Sequence, residues 1–223
     1  MKIKFSYLAN DIELNKNINI FSIHNFNIMN KLYYSFRNEF DDTTLIIDEH
    51  KEVDFKKIGQ FLSDPFSLDI NSKKNLQLLY EQEKKFISIK NLDNFEKIKI
   101  KLFELMGDII SNSNYDLDYN DAINIVDAFA LLKLQFSITN ELNFFDYFCK
   151  YLKIISNLKK LKLIITYNFL SFFTDKQIEF LNIELKKAGL LLLDIVFNDD
   201  LYNKKYDLNI ISIYRIDQDY CEY

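Results

Sequence analysis

The fold is decided by the stretch LKLIITYNFLSFFTDKQIEFLNIELKKAGLLLLDIVF, residues 161–197. It contains two apolar runs, Leu163–Thr166 and Leu190–Phe197, each typical of a strand that is covered on both faces. Between them lie the signals of a capped helix, namely Thr174 with Gln177 in capping-box spacing and a terminal Gly189. A strand, a helix and a strand of these lengths predict a right-handed crossover between parallel strands. The sequence therefore predicts an α/β domain.

Strand-rich segments at both ends of the chain enclose a helical middle. Strands are predicted at residues 2–7, 12–21 and 44–48 and at 208–216, with a helix that begins at Asn25. The middle contains helix starts at Ser72, Asp93, Asp121 and Asn140. The simplest architecture is an α/β domain formed by residues 1–66 and 159–223, with residues 67–158 inserted as a helical leg.

The charge of the chain is unevenly distributed. The net charge of −5 argues against general nucleic-acid binding. However, residues 103–132 contain six acidic side chains and no Lys or Arg, whereas residues 147–174 contain five lysines and no acid. This division allows an acidic protein to have a basic face, although it is equally typical of ordinary solvated helix faces.

The two cysteines, Cys149 and Cys221, lack the spacing of metal ligands, and no secretory signal precedes them. The longest apolar runs have the length of strands, which is too short to cross a membrane as a helix. We therefore expect a soluble, cytoplasmic protein with reduced thiols, in which Cys149 is buried and unreactive within an apolar helix.

A nucleotide-hydrolase site is not supported by the motifs. Residues 44–49 (TLIIDE) look like a Walker B strand, but the three glycines, at 59, 107 and 189, are not followed by Lys-Ser or Lys-Thr. No glycine-rich phosphate loop is therefore present, and TLIIDE is predicted to be a plain strand end. The two histidines, His24 and His50, fall in no catalytic motif. We expect a protein without catalytic residues that does not hydrolyse ATP.

An acidic segment resembles the start of an EF-hand. Residues 116–121 (DLDYND) place oxygen ligands at alternating positions, and Asp127 stands at the twelfth place. Asp121 occupies the place where that loop requires glycine, so the segment is not an EF-hand. It could bind a hard cation in another geometry, or Asn120 or Asp121 could simply cap the next helix. The residues alone favour the helix cap.

Several lysines occur in pairs, at 73–74, 84–85 and 159–160, and Lys150 and Lys153 share a helix face. No base-reading module accompanies them. If these lysines bind nucleic acid, they are expected to contact phosphates without discriminating sequence.

Three segments carry a resemblance to a known family. They are LIIDEHKEVDFKKIGQFLSDPFSLDINSKKNLQLLYEQ (45–82), YDLDYNDAINIVD (115–127) and LKKLKLIITYNFLSFFTDKQIEFL (158–181). In this order they resemble the Csn-two family, the accessory adaptation proteins of type II-A CRISPR systems, and the compact length resembles its short-form members.

The resemblance implies an α/β head like that of P-loop NTPases but without the nucleotide site, and a helical leg inserted in it. It implies a homotetrameric ring with a basic central hole, shaped by Ca²⁺ bound to acidic side chains. Ends of double-stranded DNA would enter the hole independently of sequence. The protein would assist spacer acquisition together with the CRISPR integrase complex and the RNA-guided nuclease.

Site residues follow from combining the resemblance with the charge pattern. The expected DNA contacts are Lys73, Lys74, Lys159 and Lys160. The expected Ca²⁺ ligands are Asp116, Asp118, Asp121 and Asp127, with Asn120 or a backbone carbonyl completing the site. Two alternatives remain open: a degenerate P-loop-like NTPase that keeps weak nucleotide binding, and a scaffold that holds adaptation proteins and barely touches DNA.

Overall fold

The computed structural model describes residues 1–37, 44–138, 143–197, 207, 209–219 and 221. Its helices and strands are, in chain order, β1 (Lys2–Phe5), β2 (Ile12–Glu13), β3 (Ile18–Ile23), α1 (Phe26–Arg37), β4 (Thr44–Asp48), β5 (Lys51–Val53), α2 (Phe55–Ile58), β6 (Gly59–Leu62), α3 (Lys73–Lys84), α4 (Ile89–Ser111), α5 (Ile125–Leu131), α6 (Phe144–Lys159), β7 (Leu163–Tyr167), α7 (Asp175–Ala188), β8 (Leu191–Phe197) and β9 (Ile211–Ile216). Short 3-10 helices occupy Pro65–Ser67 and Phe169–Phe172.

The strands form two sheets. One is parallel throughout, in the order β6-β7-β8-β3-β9. The other is antiparallel, in the order β2-β1-β4-β5. The chain is thus a mixed α/β protein with a parallel sheet, which confirms the fold class that residues 161–197 predict.

The predicted crossover is present. Strands β7 and β8 are parallel neighbours, and α7 connects them. The Thr174–Gln177 capping box starts α7, and Gly189 ends it in the left-handed conformation, with φ of 63°. The first four residues of β7 are buried. These two strands therefore lie inside the protein, because helices or the other sheet cover both of their faces.

The TLIIDE segment contains β4, a strand of the antiparallel sheet, which agrees with the prediction that it is a plain strand end. β4 pairs with β5 through a two-residue turn, in which Glu49 and His50 both have positive φ. Positive φ at both central residues is typical of a tight hairpin turn that matches the twist of its strands. The Asp48 carboxylate accepts from the Lys162 ammonium at 2.7 Å. Asp48 therefore lies at the end of a hairpin strand, where an ion pair holds its carboxylate.

Strand β6 was not predicted, since the sequence of residues 53–62 indicated only a short mixed segment with a helical turn. The structure shows that turn as α2, followed at once by β6 at the edge of the parallel sheet. The Phe55 ring lies where a side-chain carbon at Gly59 would be. Glycine is required here because the buried ring crosses the strand. Four residues with a glycine are too short a run to show a strand period.

The chain divides into two compact units. Unit 1 comprises Met1–Ile70 and Thr139–Tyr223, and unit 2 comprises Asn71–Ile138. The predicted leg, residues 67–158, therefore extended too far, because α6 belongs to unit 1. The α6 residue Phe148 is fully buried, with its ring centroid 5.4 Å from that of Phe169. Packing of this kind assigns α6 to the α/β unit.

Unit 2, all of whose residues the structure describes, contains α3, α4 and α5. Its single buried apolar side chain is Tyr80, whose hydroxyl donates to the Leu134 carbonyl at 2.9 Å. The ends of the unit are joined by one side chain. The Asn71 amide donates to the Phe136 carbonyl at 3.1 Å and accepts from the Phe136 N–H at 2.9 Å. Unit 2 is thus closed at its base but has almost no core.

Helix boundaries in unit 2 differ in part from the prediction. Ser72 caps α3, as expected. The next helix was predicted to begin at Asp93, but α4 begins at Ile89 with Ser88 as its cap. The helix predicted to start at Asp121 begins four residues later, as α5. Because the side chain of Ser88 accepts from the Asn91 N–H, it satisfies a free donor one turn earlier than Asp93 could.

Two predicted elements of unit 1 extend beyond the described residues. The helix predicted from Asn140 begins at Phe144, after a cap at Asn143, and residues 139–142 lie outside the described part. The closing strand predicted from Leu208 is β9, and residue 208 lies outside the described part. Across the helices that the structure describes, none combines the length and the apolar character needed to cross a membrane.

Candidate functional site

The junction between β3 and α1 is where a phosphate-binding loop would lie, between a central parallel strand and the helix that follows it. Only His24 and Asn25 connect the two elements. The Asn25 side-chain oxygen accepts from the N–H groups of Asn27 at 3.0 Å and Ile28 at 3.2 Å. Its amide nitrogen donates to the Gln218 carbonyl at 3.0 Å. Two donors at the start of α1 are therefore occupied by a protein side chain.

The Asn25 cap leaves the start of α1 poorly suited to bind an anion. A helix N-terminus attracts phosphate because its first N–H groups lack partners. In α1 the Asn25 side chain occupies two of those groups, and no glycine precedes the helix to let a backbone approach a phosphate chain. The junction has the geometry of a helix cap rather than that of a nucleotide cradle.

Asp194 is the titratable group that the sequence analysis missed. It lies in β8 with no exposed surface. Its carboxylate accepts from the Thr166 hydroxyl at 2.7 Å and from the backbone N–H groups of Phe169 at 3.0 Å and Leu170 at 2.9 Å. Burial raises the pKa of Asp194 to about 6, against the opposing effect of these hydrogen bonds. The available signal was a lone acid inside the apolar run LLLLDIVF.

The role of Asp194 is structural in this arrangement. Its two carboxylate oxygens hold the start of the 3-10 helix Phe169–Phe172 against the carboxyl end of β7. All of its named partners are protein groups. We assign Asp194 to fixing this corner of the sheet.

The remaining nucleophile and base candidates have no catalytic arrangement. Burial raises the pKa of the Cys149 thiol to about 12, so the thiol stays protonated and unreactive. His24 lies beside Ser22, with its Nε2 atom 3.3 Å from the hydroxyl oxygen. His50 lies in the β4–β5 turn. The two histidines are therefore in separate parts of unit 1, one before a helix and one in a turn.

The acidic segment contains the four predicted Ca²⁺ ligands, and all four side chains are exposed. Asp127 completes a capping box, in which its carboxylate accepts from the Asn124 N–H at 2.7 Å. Asp118 accepts from the N–H of Tyr119 at 2.8 Å. The helix cap is thus Asn124, rather than the predicted Asn120 or Asp121.

As arranged, these side chains do not fit a calcium ion. Calcium requires about six to eight oxygen ligands. Within the described residues, no group of three or more His, Cys, Asp or Glu side chains is placed to hold a metal ion. The capping box accounts for Asp127, while Asp116 and Asp121 remain exposed. The ligand set stays a prediction that requires the segment to rearrange.

The four predicted DNA-contacting lysines belong to different compact units. Lys73 and Lys74 are exposed in the first turn of α3, in unit 2. Cations in that turn face the positive end of the helix dipole, so helix stability does not explain them. Lys159 and Lys160 are at the end of α6, in unit 1, where cations favour the helix dipole. The first pair therefore has the weaker structural explanation.

Within the second pair, Lys159 and Lys160 have different surroundings. The Lys159 ammonium donates to the Gln60 side-chain oxygen at 2.9 Å, and the Gln60 amide donates to the Tyr151 hydroxyl at 2.8 Å. Lys160 is exposed and has a left-handed backbone, with φ of 53°. Lys159 is held by the protein, whereas Lys160 extends into solvent.

The comparison with protein families assigns the chain to a family. The model of the family described as "CRISPR-associated protein (Cas_Csn2)" matches residues 34–220. The match covers most of the chain and includes α3 to α7, so the chain belongs to this family of CRISPR-associated proteins. The resemblance carried by residues 45–82, 115–127 and 158–181 is thereby confirmed.

Solved structures with a similar backbone include one entitled the ADP conformation of MJ1267, an ATP-binding cassette of an ABC transporter. The two chains share 15% identity, with 96% of this chain and 85% of that chain covered, at a TM-score of 0.42. A likeness with this identity and TM-score carries no conclusion about the function of this chain. A comparison with curated proteins gives no match.

Proposed function

We propose that this protein is a non-catalytic, cytoplasmic component of type II-A CRISPR adaptation. In this proposal it holds the ends of double-stranded DNA in a homotetrameric ring, independently of sequence. It acts alongside the CRISPR integrase complex and the RNA-guided nuclease during spacer acquisition. Membership of the family, over residues 34–220, is the observation that carries the proposal.

The proposed DNA contact is electrostatic. Lys73, Lys74 and Lys160 are exposed, and contacts from lysine ammonium groups to phosphates hold a duplex without reading its bases. The acidic net charge of −5 opposes binding elsewhere on the surface. Binding limited to a basic face of a closed ring would favour free duplex ends, because a closed circle cannot thread a ring.

The test is a gel shift with one plasmid in two forms. We expect linear duplex to shift, closed-circular duplex not to shift, and a linear fragment of unrelated sequence to shift equally. Binding of both forms alike would contradict end recognition. If neither form binds at low salt, the scaffold alternative gains support.

The non-catalytic part of the proposal rests on the β3–α1 junction. A degenerate P-loop-like head would still need N–H groups for the phosphates, and Asn25 occupies two of them at the start of α1. Asp48, the first of the two acids of TLIIDE, ends β4 of the antiparallel sheet and forms an ion pair with Lys162. We therefore expect no phosphate release from ATP, with or without duplex DNA.

Phosphate release can be followed colorimetrically, with Asp48→Ala as the matched variant. Equal background release from the wild type and the variant is the expected result. Turnover that DNA stimulates and that Asp48→Ala abolishes would establish the NTPase alternative.

The proposed calcium dependence involves the acidic segment 116–127. Because its carboxylates are dispersed in the structure, we expect weak binding in which Asp116, Asp118, Asp121 and Asp127 converge on the ion. Calorimetric titration of chelator-stripped protein should show heat that Asp116→Ala combined with Asp118→Ala removes.

Asn124→Ala provides the control for this titration, since it breaks the α5 cap without removing a carboxylate. We expect this variant to keep the heat of binding. The absence of heat at millimolar calcium, or equal heat from all variants, would leave the segment as a capped helix.

A further inference from the structure

Three phenylalanine rings of unit 1 form an exposed cluster at the carboxyl edge of the parallel sheet. Phe66 is 77% exposed, Phe172 is 49% exposed, and both rings lie against that of Phe144, which is half-buried. The centroids of the three pairs of rings are 5.6 Å, 5.8 Å and 6.0 Å apart. We call these three residues the aromatic patch. An exposed apolar cluster of this kind is typical of a surface that another molecule covers.

The aromatic patch is the outer part of a packed aromatic layer. Phe144 contacts three buried rings, at centroid distances of 6.3 Å, 6.5 Å and 5.6 Å, namely those of Phe148, Phe169 and Phe173. The buried rings therefore support the patch, whereas Phe66 and Phe172 remain open to solvent.

Phe66 is presented on a rigid turn. It follows β6 in the 3-10 helix Pro65–Ser67, whose first residue is the only proline of the chain. The proline ring fixes its own φ, and the Asp64 carboxylate accepts from the Phe66 N–H at 2.9 Å. The backbone of Phe66 therefore has little conformational freedom to lose when a partner binds.

Phe172 is presented in the same way at the end of the neighbouring strand. It ends the 3-10 helix Phe169–Phe172 after β7, and the buried Asp194 carboxylate holds the start of that helix. The Ser171 hydroxyl donates to the Asn168 carbonyl at 2.6 Å in the same turn. Aromatic side chains that are fixed before binding are typical of the residues that contribute most to the affinity of a protein–protein contact.

The charge around the patch is negative. Each of the three rings has an exposed aspartate within three residues of it along the chain: Asp64, Asp146 and Asp175. Lys176, beside Asp175, is the nearest base in the sequence. An apolar surface with acids at its rim complements an apolar segment flanked by Lys or Arg. Arginine suits it best, because a guanidinium group can pair with an aspartate and can also lie over a ring.

The same aspartates oppose other occupants. Nucleic acid and anionic lipid headgroups carry negative charge, which the three carboxylates repel. A second copy bound by a twofold contact would bring the same surface, and with it three more aspartates, against the first. The charge therefore favours a different, basic protein segment.

We propose that the aromatic patch docks a segment of a partner protein in which an apolar side chain is flanked by Lys or Arg. The apolar side chain lies against Phe66 and Phe172, and the basic side chains pair with the aspartates of the rim. This inference goes beyond the proposed function and requires neither DNA nor calcium.

The first test selects random short peptides, displayed on phage, against the full chain. A parallel selection uses Phe66→Ser combined with Phe172→Ser, which truncates the two exposed rings and leaves the buried layer intact. We expect the peptides enriched on the wild type alone to carry an aromatic or large aliphatic residue beside Lys or Arg. No enrichment specific to the wild type, or enrichment without basic residues, would overturn the proposal.

The second test measures the affinity of one enriched peptide by fluorescence anisotropy. The Phe66→Ser/Phe172→Ser variant is expected to raise the dissociation constant by about 30-fold or more, because a few aromatic side chains carry most of the affinity of such contacts. Phe26→Ser is the matched control, since Phe26 is 65% exposed at the start of α1 and lies outside the patch. It should keep the wild-type constant, and equal weakening by the control would contradict a localised site.

The acidic rim is tested without changing the rings. Asp64→Asn, Asp146→Asn and Asp175→Asn together remove three charges, and asparagine at position 64 can still cap the turn. We expect this variant to bind the peptide about 5-fold more weakly at low salt and to lose most of the salt dependence. An unchanged affinity and salt dependence would overturn the assignment of a basic partner.

Two further measurements on the Phe66→Ser/Phe172→Ser variant separate this inference from the proposed function. We expect its mass in solution and its binding of linear duplex to match those of the wild type. A smaller mass would make the patch a contact between copies, and lost DNA binding would make it part of the DNA surface; either result overturns the proposal. A wild type without preference for linear DNA would reject the proposed function and leave the peptide result standing.

Discussion

Replacing Asp194 with alanine is expected to lower the free energy of unfolding by about 3 kcal/mol at pH 7. The carboxylate accepts from the Thr166 hydroxyl and from the N–H groups of Phe169 and Leu170 in a fully buried site. The variant would leave these donors without partners, at about 1–3 kcal/mol each, and would create a small cavity. These costs exceed the gain from no longer burying a charge.

The deficit of the Asp194→Ala variant should also depend on pH. The pKa of Asp194, about 6 in the folded protein, lies above the value of about 4 expected in the unfolded chain. The carboxyl group therefore favours the folded state most at low pH, and this contribution is lost as the pH rises through 6. Lowering the pH from 7 to 4 should widen the deficit by at most about 3 kcal/mol.

Denaturant unfolding at several pH values provides the measurement. Asp175→Ala is the control, because Asp175 is an exposed acid in the first turn of α7. Its effect should stay below about 1 kcal/mol at every pH. An Asp194→Ala variant as stable as the wild type, or a deficit that does not change with pH, would show that the carboxylate does not hold this corner.

Neutralising the proposed DNA-binding lysines should produce the largest functional effect. Replacing Lys73, Lys74, Lys159 and Lys160 with glutamine is expected to weaken duplex binding on the order of 100-fold at low salt. The slope of log affinity against log salt should fall in magnitude by about 0.9 for each lysine–phosphate ion pair that the substitutions remove. Fluorescence anisotropy with a labelled linear duplex measures both quantities.

The two pairs can be ranked by making the substitutions separately. We expect the Lys73/Lys74 variant to reduce the slope more, because the Lys159 ammonium is already bonded to Gln60. Lys84→Gln combined with Lys85→Gln is the control on the same helix, at its other end. If all four predicted positions can be neutralised with no change in slope, the DNA surface lies elsewhere.

The elements that sequence predicted correctly have several independent signals. The crossover of β7, α7 and β8 combines two uninterrupted apolar runs with a capping box and a terminal glycine between them, so several signals agree on the order strand, helix, strand. β6 has only four residues and contains Gly59, so its position depends on tertiary packing against β7. The start of α4 was misplaced because Asp93 has a cap-like spacing to Glu96 inside a helix that Ser88 already caps.

The candidate site was less predictable, because it depends on how side chains use their local partners. The sequence shows four aspartates at 116–127, but it does not show that the Asp127 carboxylate accepts a hydrogen bond from the Asn124 N–H. It shows pairs of lysines, but not that they are divided between two compact units. Asp194 was overlooked because a single acid inside an apolar run leaves the strand pattern intact, and the sequence does not show which groups hydrogen-bond to it.

The hydrogen bonds between Asn71 and Phe136 affect how the chain tolerates change in length. These bonds join the two ends of unit 2, Asn71–Ile138. For unit 1, unit 2 is therefore an inserted loop whose ends are held together. The entropy of closing such a loop grows only logarithmically, by about 0.6 kcal/mol for each doubling of its length. Segments inside unit 2 can therefore lengthen or shorten with little effect on the stability of the parallel sheet.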